Sequence, residues 1–301
     1  MPYRLRTGES VQHGVRRVIN QQIERAREEL ADPDLDRAET IHQVRKRCKK
    51  IRGALRLVRD GLDQAYAMEN AWYRDAARRL SALRDAQAMV ETGEALARHF
   101  AGQVDGDTIQ AIQGHLVACR DALMNDRARV TGLLEDFQSA MEAGQNRVPS
   151  LTIRGDGHEA ALAGMRKTYG RAWAAMDAAY DKPGAGTFHE WRKRVKYHRY
   201  HLRLLQETWP DVIEAREDAT HQLGRLLGDH HDCCVLRALI LNDPTCSATQ
   251  EGQQHIVALI DRRIAQIEQA SRPLGQRLFA EKPKHLARRF GIYFRIWSQE
   301  H

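Results

Sequence analysis

The sequence predicts an all-α protein, and three observations carry that prediction. Apolar residues recur at helical spacing almost throughout, and the alternation of a β-strand is nearly absent. Breakers at Asp32-Pro33, Gly144 to Gly157, Pro183-Gly184 and Asn242-Asp243-Pro244 cut the chain into helix-sized pieces. Val11, Val15, Val18, Gln22, Ala26 and Leu30 form one stripe; Leu55, Val58 and Leu62 form the next. The single strand candidate, Val148 to Ile153, lies among Gly, Asn and Pro and is read as part of a linker.

A chain of 301 residues with 42% hydrophobic composition buries a substantial core. No run of about 18 apolar residues exists, and the start MPYRLRTGESVQHG lacks the apolar centre of a secretory signal, so the expected location is cytoplasmic, without membrane insertion. Five cysteines (Cys48, Cys119, Cys233, Cys234, Cys246), none in C-x-x-C spacing, fit a reducing compartment.

The net charge of +7 is unevenly placed. Residues 41 to 60 hold eight Lys/Arg against Asp60 (+7), and residues 188 to 207 hold six against Glu190 and Glu207 (+4), which leaves −4 for the rest. Positive charge gathered in two short segments points to a polyanionic partner.

The two segments are also copies. An offset of 147 places IHQVRKRCKKIRGALRLVRD (41 to 60) on FHEWRKRVKYHRYHLRLLQE (188 to 207) with nine identities in twenty. The same offset pairs Leu80 with Leu227 and Arg84-Asp85 with His231-Asp232, and an offset of 150 pairs GVRR (14 to 17) with GMRK (164 to 167). The pattern reads as an internal duplication. Residues 1–145 and 158–301 are the two helical halves, of about four helices each, and 146–157 is the linker.

On a helix, with His42 at zero and 100° per residue, Arg45, Lys46, Lys49, Arg52 and Arg56 fall within an arc of about 120°, while Val44, Ile51, Leu55 and Val58 lie opposite. His189, Arg192, Lys193, Lys196, Arg199 and Arg203 repeat the arrangement over Trp191, Val195, Leu202 and Leu205. Charge runs on helices are usually solvated faces. Here the arrangement occurs twice in register with a histidine at the same place, and carboxylates are read as missing from the i±4 positions. A row of forked and point-like cations along about 15 Å of helix suits successive phosphates of a chain.

The H-x-x-R-K-R-x-K-x-x-R segment in both halves, followed by Leu80 to Asp85 and Leu227 to Asp232, closely resembles the CHAD domain, the conserved-histidine α-helical domain, over nearly the whole chain (1–301). The resemblance implies two four-helix bundles related by a pseudo-twofold axis, with the basic helices facing a central cavity that binds inorganic polyphosphate. Some members localise to polyphosphate granules. Carried over by position, the binding set is His42, Arg45, Lys46, Lys49, Arg52 and Arg56 with His189, Arg192, Lys193, Lys196, Arg199 and Arg203. Arg47 and Arg194 match the motif but point about 140° away from the histidine and are read as flanking. Arg16 and Arg166, each beside the apolar stripe of its helix, are secondary candidates. Members are often joined to a triphosphatase-like domain, but the chain starts with the helical unit and has no E-x-E-x-K stretch, so no enzymatic activity, cofactor or metal is expected.

Two other classes remain to be distinguished. The same charges suit nucleic acid, although the basic faces offer little aromatic interleaving for base stacking, with Tyr200 in one copy and Gly53 in the other. A phosphohydrolase would release phosphate in a metal-dependent way that requires His231 or Asp232. DHHDCC (229 to 234) resembles a phosphoesterase signature and a metal cluster, but no preceding strand or further aspartate motif accompanies it. Asp85 and Asp232 are read as anchors for a helix or a basic neighbour. Trp209, Tyr293, Phe294 and Trp297 are read as core or terminal packing.

Overall fold

In the computed structural model, which describes residues 3–103, 105–247 and 249–300, helix starts follow capping chemistry. Ser10 accepts from the His13 N–H at 3.2 Å to open α1 (Val11–Ala31), and Asp36 accepts from Glu39 at 2.9 Å to open α2 (Arg37–Leu57). α3 (Asp63–Arg79), α4 (Ser81–His99), α5 (Gly106–Met124) and α6 (Arg127–Arg147) follow, the last two capped by Asp105 and Asp126. α7 (Gly157–Asp181) is capped by Asp156. α8 (Ala185–Leu204) follows the Pro183-Gly184 break, and α9 (Pro210–Asn242) begins on a proline at its first position. α10 (Gln250–Leu278) and α11 (Pro283–Gln299) complete eleven α-helices and no strand among the described residues. None of these helices is long and apolar enough to cross a membrane.

Among the described residues the first half holds six α-helices and the second five, more than the four expected of each, and the difference between them has a local reason. Leu80 separates α3 from α4, whereas its counterpart Leu227 lies inside the unbroken, 33-residue α9. At the break, the Arg45 guanidinium donates to the Ala77 carbonyl at 2.7 Å and to Ser81 Oγ at 2.8 Å. An uninterrupted helix would give that carbonyl to the Ser81 N–H. The positions matching Ala77 and Ser81 are Gly224 and Gly228, and there α9 runs straight past Arg192. Gly144 corrects an expectation in the other direction: it continues α6, and a Cβ there would sit 2.6 Å from Tyr73 Oη, so the glycine serves a close approach and not a break.

Two hydrophobic clusters hold the chain, and they do not divide it at the linker. The larger joins α1, α2 and α3 to α7, α8 and α11, with Ile41, Ile51, Leu55, Phe188, Trp191, Leu202 and Phe290 essentially inaccessible. The smaller joins α4 and α5 to the distal part of α9 and the first part of α10, through Phe100, Ile112, Leu236, Cys246 and Ile260. Residues 148 to 156 are stitched to the first half. Val148, Leu151 and Ile153 are buried, the Arg154 N–H reaches the Gly61 carbonyl at 2.9 Å, and the Ile153 N–H reaches Gln12 Oε1 at 2.9 Å. Phe294 and Trp297 are packed as expected, but Trp209 is 47% exposed and only its edge meets Tyr293.

Candidate functional site

Because α2 and α8 bury their apolar stripes in one cluster and pack against each other, their basic faces converge. The approach is close at Gly53, where a Cβ would lie 2.9 Å from the Tyr200 Cβ, and His201 Nε2 lies 3.2 Å from the Gly53 carbonyl. Beside this crossing lies a cavity of about 610 Å³.

Nine of the twelve predicted residues line it: His42, Arg45, Lys49, Arg52 and Arg56 from α2, and His189, Arg192, Lys193 and Lys196 from α8. Lys46, Arg199 and Arg203 do not. Arg199 is turned to Glu217, 2.5 Å away. Lys46 and Arg203 lie beyond Tyr200 beside the buried Lys50, whose pKa is lowered to about 7 by burial first and then by Arg47, Arg203 and Lys46. On that side the seam is covered by the N-terminal segment: Tyr3 stacks edge-on against Tyr200 and donates to the Lys50 carbonyl at 2.7 Å, and the Leu5 N–H donates to the Leu204 carbonyl at 2.9 Å. The secondary candidates lie elsewhere, Arg16 donating to the Leu151 carbonyl at 2.9 Å and Arg166 exposed on α7.

The flanking pair separates. Arg47 is bound to Glu29, away from the cavity, while Arg194 reaches the cavity wall and shares Glu190 with Lys193. Glu190 therefore corrects the reading that no carboxylate stands four residues from a cation of this face.

Sequence reasoning missed several wall residues. Arg84, from α4, is held by Glu91 through two contacts of 2.9 and 2.8 Å, and Tyr197, Tyr200 and His231 also face inward. The 147-residue offset had already marked Arg84 and His231 as a pair. Their neighbours act on cations as expected of anchors: Asp85 approaches Arg45 at 3.9 Å, and Asp232 favours the charged form of Lys196. His198 and His201, on the same basic helix, are fully buried in the core and held uncharged by that burial.

The electrostatics turn on what fixes the cations. Besides Ala77 and Ser81 for Arg45, the acceptors for the α2 arginines come from α3: Asn70 Oδ1 for Arg52 at 3.1 Å and Tyr66 Oη for Arg56 at 2.6 Å, and Arg56 also lies 4.1 Å over the Tyr197 ring. These partners orient the guanidinium groups without cancelling their charge. Lys49, Arg192 and Lys196 have no hydrogen-bond or ion-pair partner among the described residues. The wall holds nine Arg/Lys (Arg45, Lys49, Arg52, Arg56, Arg84, Arg192, Lys193, Arg194, Lys196) against Asp85 and Asp232, an excess of seven positive charges.

That crowding disfavours the charged forms of the wall residues. Burial and then Lys196, Arg45 and Arg192 hold Lys49 well below the usual lysine range, and burial, Arg192 and Arg199 bring Lys196 down to about 8. His42 is lowered by burial and Arg84, and His189 by burial, Lys193 and Arg192. The Nδ1 atoms of His189 and His231 are 3.0 Å apart, so one ring donates to the other; His231, lowered to about 4 mainly by burial, stays neutral.

The fold and the site together define an all-helical protein with an anion-attracting cavity between two basic helices. Residues 17–241 match the family described as CHAD domain, and the chain belongs to that family. Two solved structures share the fold at low sequence identity. PptA from Streptomyces chartreusis is 14% identical, with a TM-score of 0.60 over 93% of this chain and all of that one. The CHAD domain from the plant Ricinus communis is 18% identical, with a TM-score of 0.56 over 92% of this chain and 96% of that one. No curated protein matches the chain.

Proposed function

We propose that the protein binds inorganic polyphosphate in the cavity between α2 and α8, without hydrolysing it, and that this binding brings it to polyphosphate granules. The observation that carries the reading is the excess of positive charge on the walls, seven on the lining residues alone and five once Glu91 and Glu190 are counted, with the α2 arginines fixed mainly by neutral partners. A free site of this kind is strained by repulsion, and a chain with one negative charge or more per phosphate relieves it. Family membership supports the same ligand. Many similar donors distributed along two helices hold each phosphate alike, which is the signature of uniform binding and not of stabilising one reacting phosphorus.

Nucleic acid fits less well because the aromatic faces are already used, Tyr197 beneath Arg56 and Tyr200 against Tyr3. The test is a titration with polyphosphate over a series of salt concentrations, with single- and double-stranded DNA as competitors. The expected slope of log K against log salt is about −4 or steeper, by analogy with counterion release from single-stranded nucleic acid. A shallow slope, or DNA displacing polyphosphate at equal phosphate concentration, would remove this reading. Phosphate release with added divalent cation, lost in Asp232→Asn, would remove its non-catalytic half.

A second expectation concerns protons. Bound polyanion favours the charged forms of Lys196, His42 and His189, each of which is lowered in the free protein. Binding therefore takes up protons, and affinity falls as pH rises, first through the imidazole range and again above about 8. Calorimetry near that pH in two buffers of different ionisation enthalpy should report net proton uptake, diminished in Lys196→Arg. Proton release on binding would reverse the assignment.

A further inference from the structure

Away from the cavity, where α5 meets the turn between α9 and α10, three metal-ligating side chains, His115, Asp243 and Cys246, converge from distant parts of the sequence, with Cys119 beside His115. His115 and Cys119 stand four residues apart on one face of α5, and Asp243 and Cys246 stand three apart in the turn that follows α9. His115 Nε2 lies 3.3 Å from Asp243 Oδ2 and 3.4 Å from Cys119 Sγ. Donor atoms of His115, Asp243 and Cys246 all fall within 4.8 Å of one another.

Zinc bound at about 2.0–2.1 Å to nitrogen, 2.0–2.2 Å to oxygen and 2.3 Å to sulfur sets tetrahedral edges of roughly 3.3–3.8 Å between ligand atoms. The distances from His115 Nε2 to Asp243 Oδ2 and to Cys119 Sγ are already of that length. The set is also oriented as a metal site requires. Asp243 Oδ1 accepts from the Thr245 N–H at 3.0 Å and from Thr245 Oγ1 at 2.5 Å, which fixes the carboxylate and leaves Oδ2 toward His115. The Cys246 N–H donates to the Asp243 carbonyl at 3.1 Å, holding the turn closed, and the Cys246 side chain is fully buried at the edge of the smaller core.

We infer that His115, Asp243 and Cys246 form a structural zinc site that clasps α5 to the α9–α10 turn, with Cys119, one turn along α5, swinging in as the fourth ligand. Two sulfurs and an imidazole select zinc over magnesium or calcium, which take oxygen ligands. A simple His115–Asp243 ion pair accounts for neither the second helix ligand one turn on nor the buried thiol facing the same point.

The test is metal analysis of the full chain without an affinity tag, followed by cobalt substitution of the chelator-treated protein. The expected result is one zinc per chain retained through desalting, and a cobalt form with a thiolate-to-metal charge-transfer band and the intense d–d bands of a tetrahedral site. Cys119→Ser, at an exposed position, should weaken the charge-transfer band. His115→Ala should reduce zinc affinity by more than the about 10–100-fold that second-shell losses cost. Chelation should lower the melting temperature of the wild type and leave that of His115→Ala unchanged. Absence of zinc with no uptake on titration, cobalt spectra unaltered in both variants, or a Cys119–Cys246 disulfide in the native protein would each overturn the inference.

Discussion

The double charge reversal Lys49→Glu/Lys196→Glu is expected to lower polyphosphate affinity by about a thousandfold or more and to leave the helical content intact. Each side chain contributes a charge-assisted contact worth about 1.5–3 kcal/mol, and two such losses approach the roughly 4 kcal/mol that corresponds to three decades in affinity. The new carboxylates also repel the ligand, which adds to the loss. The same crowding argues that the variant folds. Lys49 is disfavoured as a cation by Lys196, Arg45, Arg192 and Arg84, so a carboxylate in that place meets cations instead of another like charge. The melting temperature should be unchanged or raised in the ligand-free protein, and Lys49→Gln/Lys196→Gln should bind with intermediate affinity. Arg127→Glu/Arg129→Glu, both on α6 and outside the cavity, makes the same change of four in net charge and provides the control. Wild-type affinity in the double reversal would show that polyphosphate is held elsewhere, however well the protein folds.

The basic faces were legible because two independent periodicities agreed. The 3.6-residue period separated core from cation on each helix, and the 147-residue offset showed that the separation was repeated. What a helical projection cannot supply is the partner. It places Lys46, Arg199 and Arg203 in the same arc as Lys49 and Lys196, yet Tyr200 and Tyr3 fill the crossing between them, and Glu217 draws Arg199 aside. Arg84 escaped for the complementary reason: it comes from α4, and its place in the cavity depends on a helix break that no proline or glycine announces. That break follows from Arg45 reaching Ala77 and Ser81, a contact 32 and 36 residues away in the chain. The zinc cluster was illegible for the same reason at larger scale. His115-x-x-x-Cys119 and Asp243-x-x-Cys246 each look ordinary, and only the packing of α5 on the α9–α10 turn brings them together.

The paired glycines of GVRR and GMRK look equivalent in the sequence, but their replacements are expected to have very different effects. A Cβ at Gly164 would lie 1.9 Å from the Leu57 carbonyl oxygen, 2.6 Å from its carbon and 2.7 Å from the Arg56 carbonyl oxygen, all backbone atoms that no rotamer change can move. At Gly14 the nearest atoms are Leu5 Cδ2 at 2.6 Å and Glu9 Oε1 at 2.7 Å, both ends of side chains. Gly164→Ala should therefore destabilise by about 3 kcal/mol or more, at the upper end of overpacking effects. Gly14→Ala should cost about 1 kcal/mol. The difference reaches the binding site because α7 seats the end of α2. Arg59, buried there, donates to the Gly164 carbonyl at 3.0 Å and to Thr168 Oγ1 at 2.8 Å, one turn beyond the residue that carries Arg56 into the cavity. Pushing α7 away should then loosen Arg56 as well, so Gly164→Ala should bind polyphosphate more weakly even where it remains folded, whereas Gly14→Ala should bind as the wild type does. Urea unfolding and titration of the two variants side by side decide the matter, and equal stability losses would mean that the α7–α2 contact yields more easily than its backbone distances require.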